Sequence, residues 1–244
     1  MRRLAIPLLL LSGCAHAPAT KASTATPTAT ATKDQRRADM LRRLDLMTAS
    51  LEKEDFAGAL RGTDEWLAQK PDVGTLALVY NCRTWIRWGG GDPKAGFAEN
   101  EKLREVVAHA DAKTQAGALR HYWWDRAYLE AEAGRASEAE SSRAEFERIA
   151  TEADDADSKH VLVAWLATMR GDGAAAKAAA SAVDPAKDDD VQDLYVLARA
   201  LDAGGDAAGA EKVRALIRAG ARYPMKPLIL QQLARDASAP ATRR

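Results

Sequence analysis

The sequence predicts an all-α fold: a solenoid of about five stacked helix pairs with a C-terminal capping helix. Three observations lead there. Ala supplies 53 of the 244 residues, within an apolar share of 47%. Ala has the highest helix propensity and covers little surface, so helices can approach closely around a thin core. Only Pro71, Pro93 and Pro185 fall between residues 28 and 223, which leaves long stretches free of helix breakers. A short punctuation of Gly, then Asp or Arg, then a small residue recurs along the chain. Val and Ile together number 15, too few for a large β-sandwich. Lys plus Arg and Asp plus Glu are 35 each, so there is no basic excess of the kind nucleic-acid binders carry.

The chain opens MRRLAIPLLLLSGC. Arg2 and Arg3 precede an apolar run, Leu4 to Leu11, far short of the ~20 residues that span a bilayer. Residues 1–13 therefore read as a secretory signal. The junction Leu11-Ser12-Gly13-Cys14 resembles the lipobox of bacterial lipoproteins. That resemblance implies cleavage before Cys14, a diacylglycerol on its thiol and acylation of the new amino terminus. Three acyl chains anchor stably where one is marginal. Ala15 stands where an Asp would favour inner-membrane retention, so the family pattern implies the outer membrane, facing the periplasm. Residues 14–33 read as a flexible tether, because Ala15 to Thr32 has one charge and no bulky apolar side chain. Coil of this length reaches on the order of 25 Å.

The solenoid is expected over 34–238. Met40 to Leu51 supplies its first helix. Turn signals follow at Glu54-Asp55-Phe56, Gly90-Gly91-Asp92, Gly134-Arg135-Ala136, Gly171-Asp172-Gly173 and Gly205-Asp206-Ala207. Gly closes a helix in the left-handed conformation before the chain turns. The small residues that follow, taken as Ala59, Ala95, Ala139, Ala176 and Ala210, are 36, 44, 37 and 34 apart. A period of this size marks a solenoid. The long interval predicts a longer helix or loop near His109 to Gly117. Pro224 to Ala234 supplies a terminal helix with Pro near its start, making eleven or so helices in all, and 239–244 reads as a disordered tail.

The punctuation resembles the tetratricopeptide repeat, with its turn of Gly, Asp or Arg, an aromatic and a later Ala, and a Pro after the second helix. The first unit carries Phe56, Ala59, Trp66, Leu67 and Pro71; the last carries Leu194, Leu197, Ala198 and Leu201. Fifteen residues before the marker Ala residues stand Leu44, Tyr80, Trp124, Val161 and Tyr195. Eleven before stand Thr48, Thr84, Tyr128, Trp165 and Arg199. Positions four apart share one face of a helix. In tetratricopeptide proteins that face lines a concave groove in which a partner segment docks. The resemblance thus implies a partner-binding groove of Tyr80, Trp124, Tyr128, Trp165 and Tyr195, with Arg87, His121, Gln192 and Arg199 beside them. It also implies a non-enzymatic scaffold or assembly factor whose partner is a protein of the envelope. The same spacing fits ordinary packing between helices, to which Trp66, Trp85 and Phe146 are assigned. Trp123 and Trp124 are adjacent, so at least one of them should be shielded.

Enzyme motifs are lacking: the chain has no G-x-S-x-G, no P-loop, no H-E-x-x-H and no C-x-x-C. No cofactor or metal is expected. His16, His109, His121 and His160 are scattered, and the runs Asp154-Asp155 and Asp188-Asp189-Asp190 precede apolar helices, where acidic groups meet the positive end of the dipole. After processing Cys82 is the one remaining thiol; its apolar neighbours predict burial, with an intermolecular disulfide as the alternative. Two other functions stay open. One is a carbohydrate-binding or hydrolytic protein of the cell wall, which would stack sugars on the aromatics and need a carboxylate pair; Glu130 and Glu132 lie in the right helix but, two apart, point different ways. The other is a structural, self-associating spacer.

Overall fold

The computed structural model describes residues 33–151, 155–188, 190–220 and 224–238. The signal, Cys14 and the tether lie outside the described residues, as does the tail from 239 onward. The described chain is an all-α solenoid. Its helices are α1 (Lys33–Leu51), α2 (Phe56–Leu67), α3 (Val73–Gly89), α4 (Pro93–Val107), α5 (Ala112–Glu132), α6 (Ala136–Ile149), α7 (Asp155–Met169), α8 (Gly173–Ala180), α9 (Val191–Ala203), α10 (Ala207–Ala219) and α11 (Lys226–Ser238). There is no strand among the described residues.

Each odd helix up to α9 packs against the even helix that follows, giving five pairs. The long marker interval is filled mainly by α5, which at 21 residues is the longest helix.

One turn design joins all five pairs. A residue two or three past the end of the helix takes a left-handed conformation: Glu54, Gly91, Gly134, Gly171 and Gly205, with φ from 57° to 82°. Its amide and the next one donate back to carbonyls in the last turn, as Gly171 N does to Thr168 O and Asp172 N to Ala167 O. This Schellman closure satisfies carbonyls that the helix end leaves orphaned. In four of the turns the second donor is an Asp that also caps the next helix. Asp55, Asp92, Asp172 and Asp206 accept from the amides of Gly58, Ala95, Ala175 and Gly209. Arg135 takes the fifth place without a side-chain cap bond, and its guanidinium lies 4.1 Å from the centroid of Phe97 instead.

Four residues past each cap comes the small residue that lets the paired helices touch. Ala59, Ala139, Ala176 and Ala210 are wholly buried. In the second pair that position is Gly96, not Ala95, because the cap is Asp92; a Cβ on Gly96 would lie 3.2 Å from Thr84 O. The apolar core runs continuously along the first helices of the pairs. No helix of the described residues is long and apolar enough to cross a membrane.

The last helix does more than cover the end of the stack. α11 packs on α9 and α10, and also on α3 and α1. The pairs therefore curve into an arc whose first and last units are bridged by α11. Gln231 Nε2 donates to Leu51 O at 2.7 Å across 180 residues of sequence.

Candidate functional site

The one-residue shift at Gly96 changes which side chains face inward from α3. Fifteen and eleven residues before Gly96 stand Asn81 and Trp85, in place of Tyr80 and Thr84. Both are buried, and both donate to the buried Asp125, Asn81 Nδ2 at 2.6 Å and Trp85 Nε1 at 3.0 Å. Burial pushes the Asp125 carboxyl well above the usual range, partly offset by those two donors.

From Trp85 a ladder of rings runs through the arc. Trp85 meets Tyr128 at 5.1 Å between centroids, Tyr128 stacks on Trp165 at 4.5 Å and 5°, and Trp165 meets Tyr195 at 6.2 Å. Trp124 stacks on Tyr128 at 5.6 Å, and Trp88 contacts both Trp85 and Tyr128 edge-on. The Trp165 indole donates to Tyr128 O at 3.2 Å. Offset and edge-on contacts of this kind stabilise beyond the area they bury.

The aromatic residues expected to line an open groove are placed differently. Trp124, Tyr128, Trp165 and Tyr195 come together as expected, but they are at most 8% exposed and pack on one another between adjacent first helices. Tyr80 sits half-buried against a separate small cluster of Ala77, Leu103, Val107, Ala118 and Tyr122, with the Lys102 ammonium 5.9 Å from its ring. Arg87 is half-buried, Gln192 is buried and His121 is exposed. Trp123 is half-buried beside the shielded Trp124.

Arg199 is the polar residue that stays with the ladder. Its guanidinium carbon lies 5.7 Å from the centroid of Trp165 and 5.8 Å from that of Tyr195. It donates to Tyr195 Oη at 2.8 Å and to Asp236 Oδ2 at 2.9 Å, and Tyr195 Oη donates to the same carboxylate oxygen at 3.0 Å. Burial works against the Arg199 charge, but Tyr195 and Asp236 outweigh it and hold the group protonated. Burial raises the Tyr195 and Tyr128 phenols and the Glu132 carboxyl above their ordinary values. Glu132 accepts from the Trp88 indole, whereas Glu130 accepts from Arg126 at 2.5 Å and Ser142 at 2.7 Å. The two carboxylates thus serve different partners on different faces.

Asp236 belongs to α11, so the inner face already holds a helix. Its attachment has two parts. Met225, Pro227, Leu228 and Ile229 are buried, and Leu228 lies so close to α3 that a Cβ on Gly89 would meet its Cδ2 at 2.7 Å. Further along, Gln231 donates to Leu51 O and Arg235 Nη1 to Gly89 O at 2.9 Å. Leu51 and Gly89 end α1 and α3, where carbonyls sit at the negative end of a dipole; Leu51 O, which also accepts from Glu54 N, takes the Gln231 amide on its second lone pair. The inner face therefore offers an apolar seat, two helix-end carbonyls for amide or guanidinium donors, and an Arg–Tyr pair for a carboxylate. Sequence reading assigned Trp85 to packing, where it lies, but missed its place at the head of the ladder, and missed Trp88, Gln231, Arg235 and Asp236. The cap position of Asp92 was the signal that could have put Trp85 in the ladder. Among the described residues no group of three or more His, Cys, Asp or Glu is placed to hold a metal ion. Comparison with protein-family models, curated proteins and solved structures gave no match to this chain.

Proposed function

We propose that this chain is a lipid-anchored, non-enzymatic scaffold of the outer membrane, facing the periplasm and docking a protein segment on the inner face of its solenoid. The observation that carries the docking part is that a helix lies across that face, held by both apolar and directional polar contacts. A surface that accepts one amphipathic helix has the chemistry to accept another. The anchoring part rests on the lipobox at Cys14 and the tether that follows. The helix-pair architecture is in keeping with the tetratricopeptide resemblance of the turns. Sugar stacking finds less support, since the rings it would use are covered.

Mass spectrometry of the processed chain from membranes tests the anchor: the expected first residue is Cys14 carrying acyl chains, and an unmodified thiol there overturns it. Docking is tested by recovery from detergent-solubilised envelope with wild-type chain and with Arg199→Ala. A partner whose yield falls at least several-fold in the variant supports the reading; identical recovery with both overturns docking on this face.

A further inference from the structure

We infer that α11 is an intramolecular occupant of the docking face, and that the partner is an amphipathic helix that takes its place. The inference deepens the scaffold reading and rests on it.

Three features of α11 carry it. Its attachment is uneven: full apolar burial is confined to Met225 through Ile229, Leu230 and Leu233 are half-buried against the core, and Ala234, Arg235, Ala237 and Ser238 are exposed. The second half is held by side-chain hydrogen bonds through Gln231, Arg235 and Asp236. These contacts are only partly buried, and a single hydrogen bond adds modest net stability, so this half opens at smaller cost than the wholly buried ladder. Second, α11 lies across the first helices of three pairs as well as on α10, and it is not a member of any of the five pairs, so leaving the face need not break a pair. Third, its contacts spell a code in one helical face: apolar at 228 and 229, a donor at 231, a guanidinium at 235 and a carboxylate at 236. Spacings of three, four and seven bring these to one side. The carboxylate meets Arg199 and Tyr195; the donors meet the carbonyls that end α1 and α3. A competitor must present the same order of groups, which defines the partner as a helix with an apolar start and an Arg-Asp end. Because α11 covers the site, the apparent affinity for such a partner is lowered by the fraction of chains in which the face is vacant.

The probe is a fluorescein-labelled peptide of residues 224–238, so the assay needs no natural partner and fails or succeeds independently of the envelope recovery above. It is titrated into the full chain in detergent, unaltered or carrying Leu228→Ser with Asp236→Ala to weaken the resident helix. Binding at least tenfold tighter to the variant, and at least tenfold poorer competition by unlabelled peptide carrying Asp236→Ala, support the inference. Equal binding to both chains, or to neither, overturns it. Hydrogen exchange on the unaltered chain guards against a variant that fails to fold. Amides of 230–237 should exchange at least a hundredfold faster than those of α9; equal rates make α11 an inseparable part of the fold and overturn the inference.

Discussion

Cys82 and Asp125 show what burial does to single groups. Cys82 is 3% exposed, and burial pushes its thiol up to about 12. The thiolate is the reactive form, so at pH 8 the folded chain should leave Cys82 unlabelled by a disulfide reagent and denaturant should release one equivalent. Asp125 has a folded-state value above its unfolded one. Its protonated form is therefore favoured by folding; that contribution is complete below the unfolded value near 3.8 and fades as pH rises toward the folded value. Denaturation midpoints from pH 4 to 8 should fall more steeply in the wild type than in Asp125→Asn, and parallel curves would contradict this. At Trp165, wholly buried and stacked on Tyr128, substitution by Ala should cost about 3–5 kcal/mol in chemical denaturation.

At the level of helices and turns, the shared closure makes matched predictions. Asp172→Ala removes a cap bond and should cost about 1 kcal/mol, whereas Glu54→Gly relieves a left-handed non-glycine residue and should gain about 0.5–1 kcal/mol, both read from denaturation midpoints. These turns were the most legible part of the sequence, because Gly and Asp at fixed offsets encode backbone geometry locally. Five pairs and a terminal helix follow directly from them. The inner-face residues were less legible, since they depend on counting from the correct anchor. Gly89-Gly90-Gly91 followed by Pro93 allows two registers, and only the cap at Asp92 selects the one that faces Trp85 inward. Tyr80 was misplaced for that reason. Aromatic spacing alone could not separate a docking stripe from a stacked core, because both repeat with the helix.

At the scale of the whole molecule, the bridge made by α11 was invisible to local pattern. Nothing near Gln231 or Asp236 in sequence names Leu51 or Arg199 as a partner; the pairing exists only once five pairs have curved. Among the described residues α11 is the helix that packs on α1, α3 and α9 together, so a chain ending at Gly220 should keep its helical circular dichroism per residue yet show a larger radius of gyration by small-angle scattering. An unchanged radius would mean that the pairs set the curvature by themselves.

The bridge also bears on how the molecule is made. Most contacts in a stack of hairpins join neighbours, so each pair can form soon after its residues emerge during synthesis. The link from Gln231 to Leu51 must wait until nearly the whole chain is present, and loop closure over that length is slow to reward. A chain still being completed thus has its ends unlatched, its inner surface uncovered for a brief interval between synthesis and maturity.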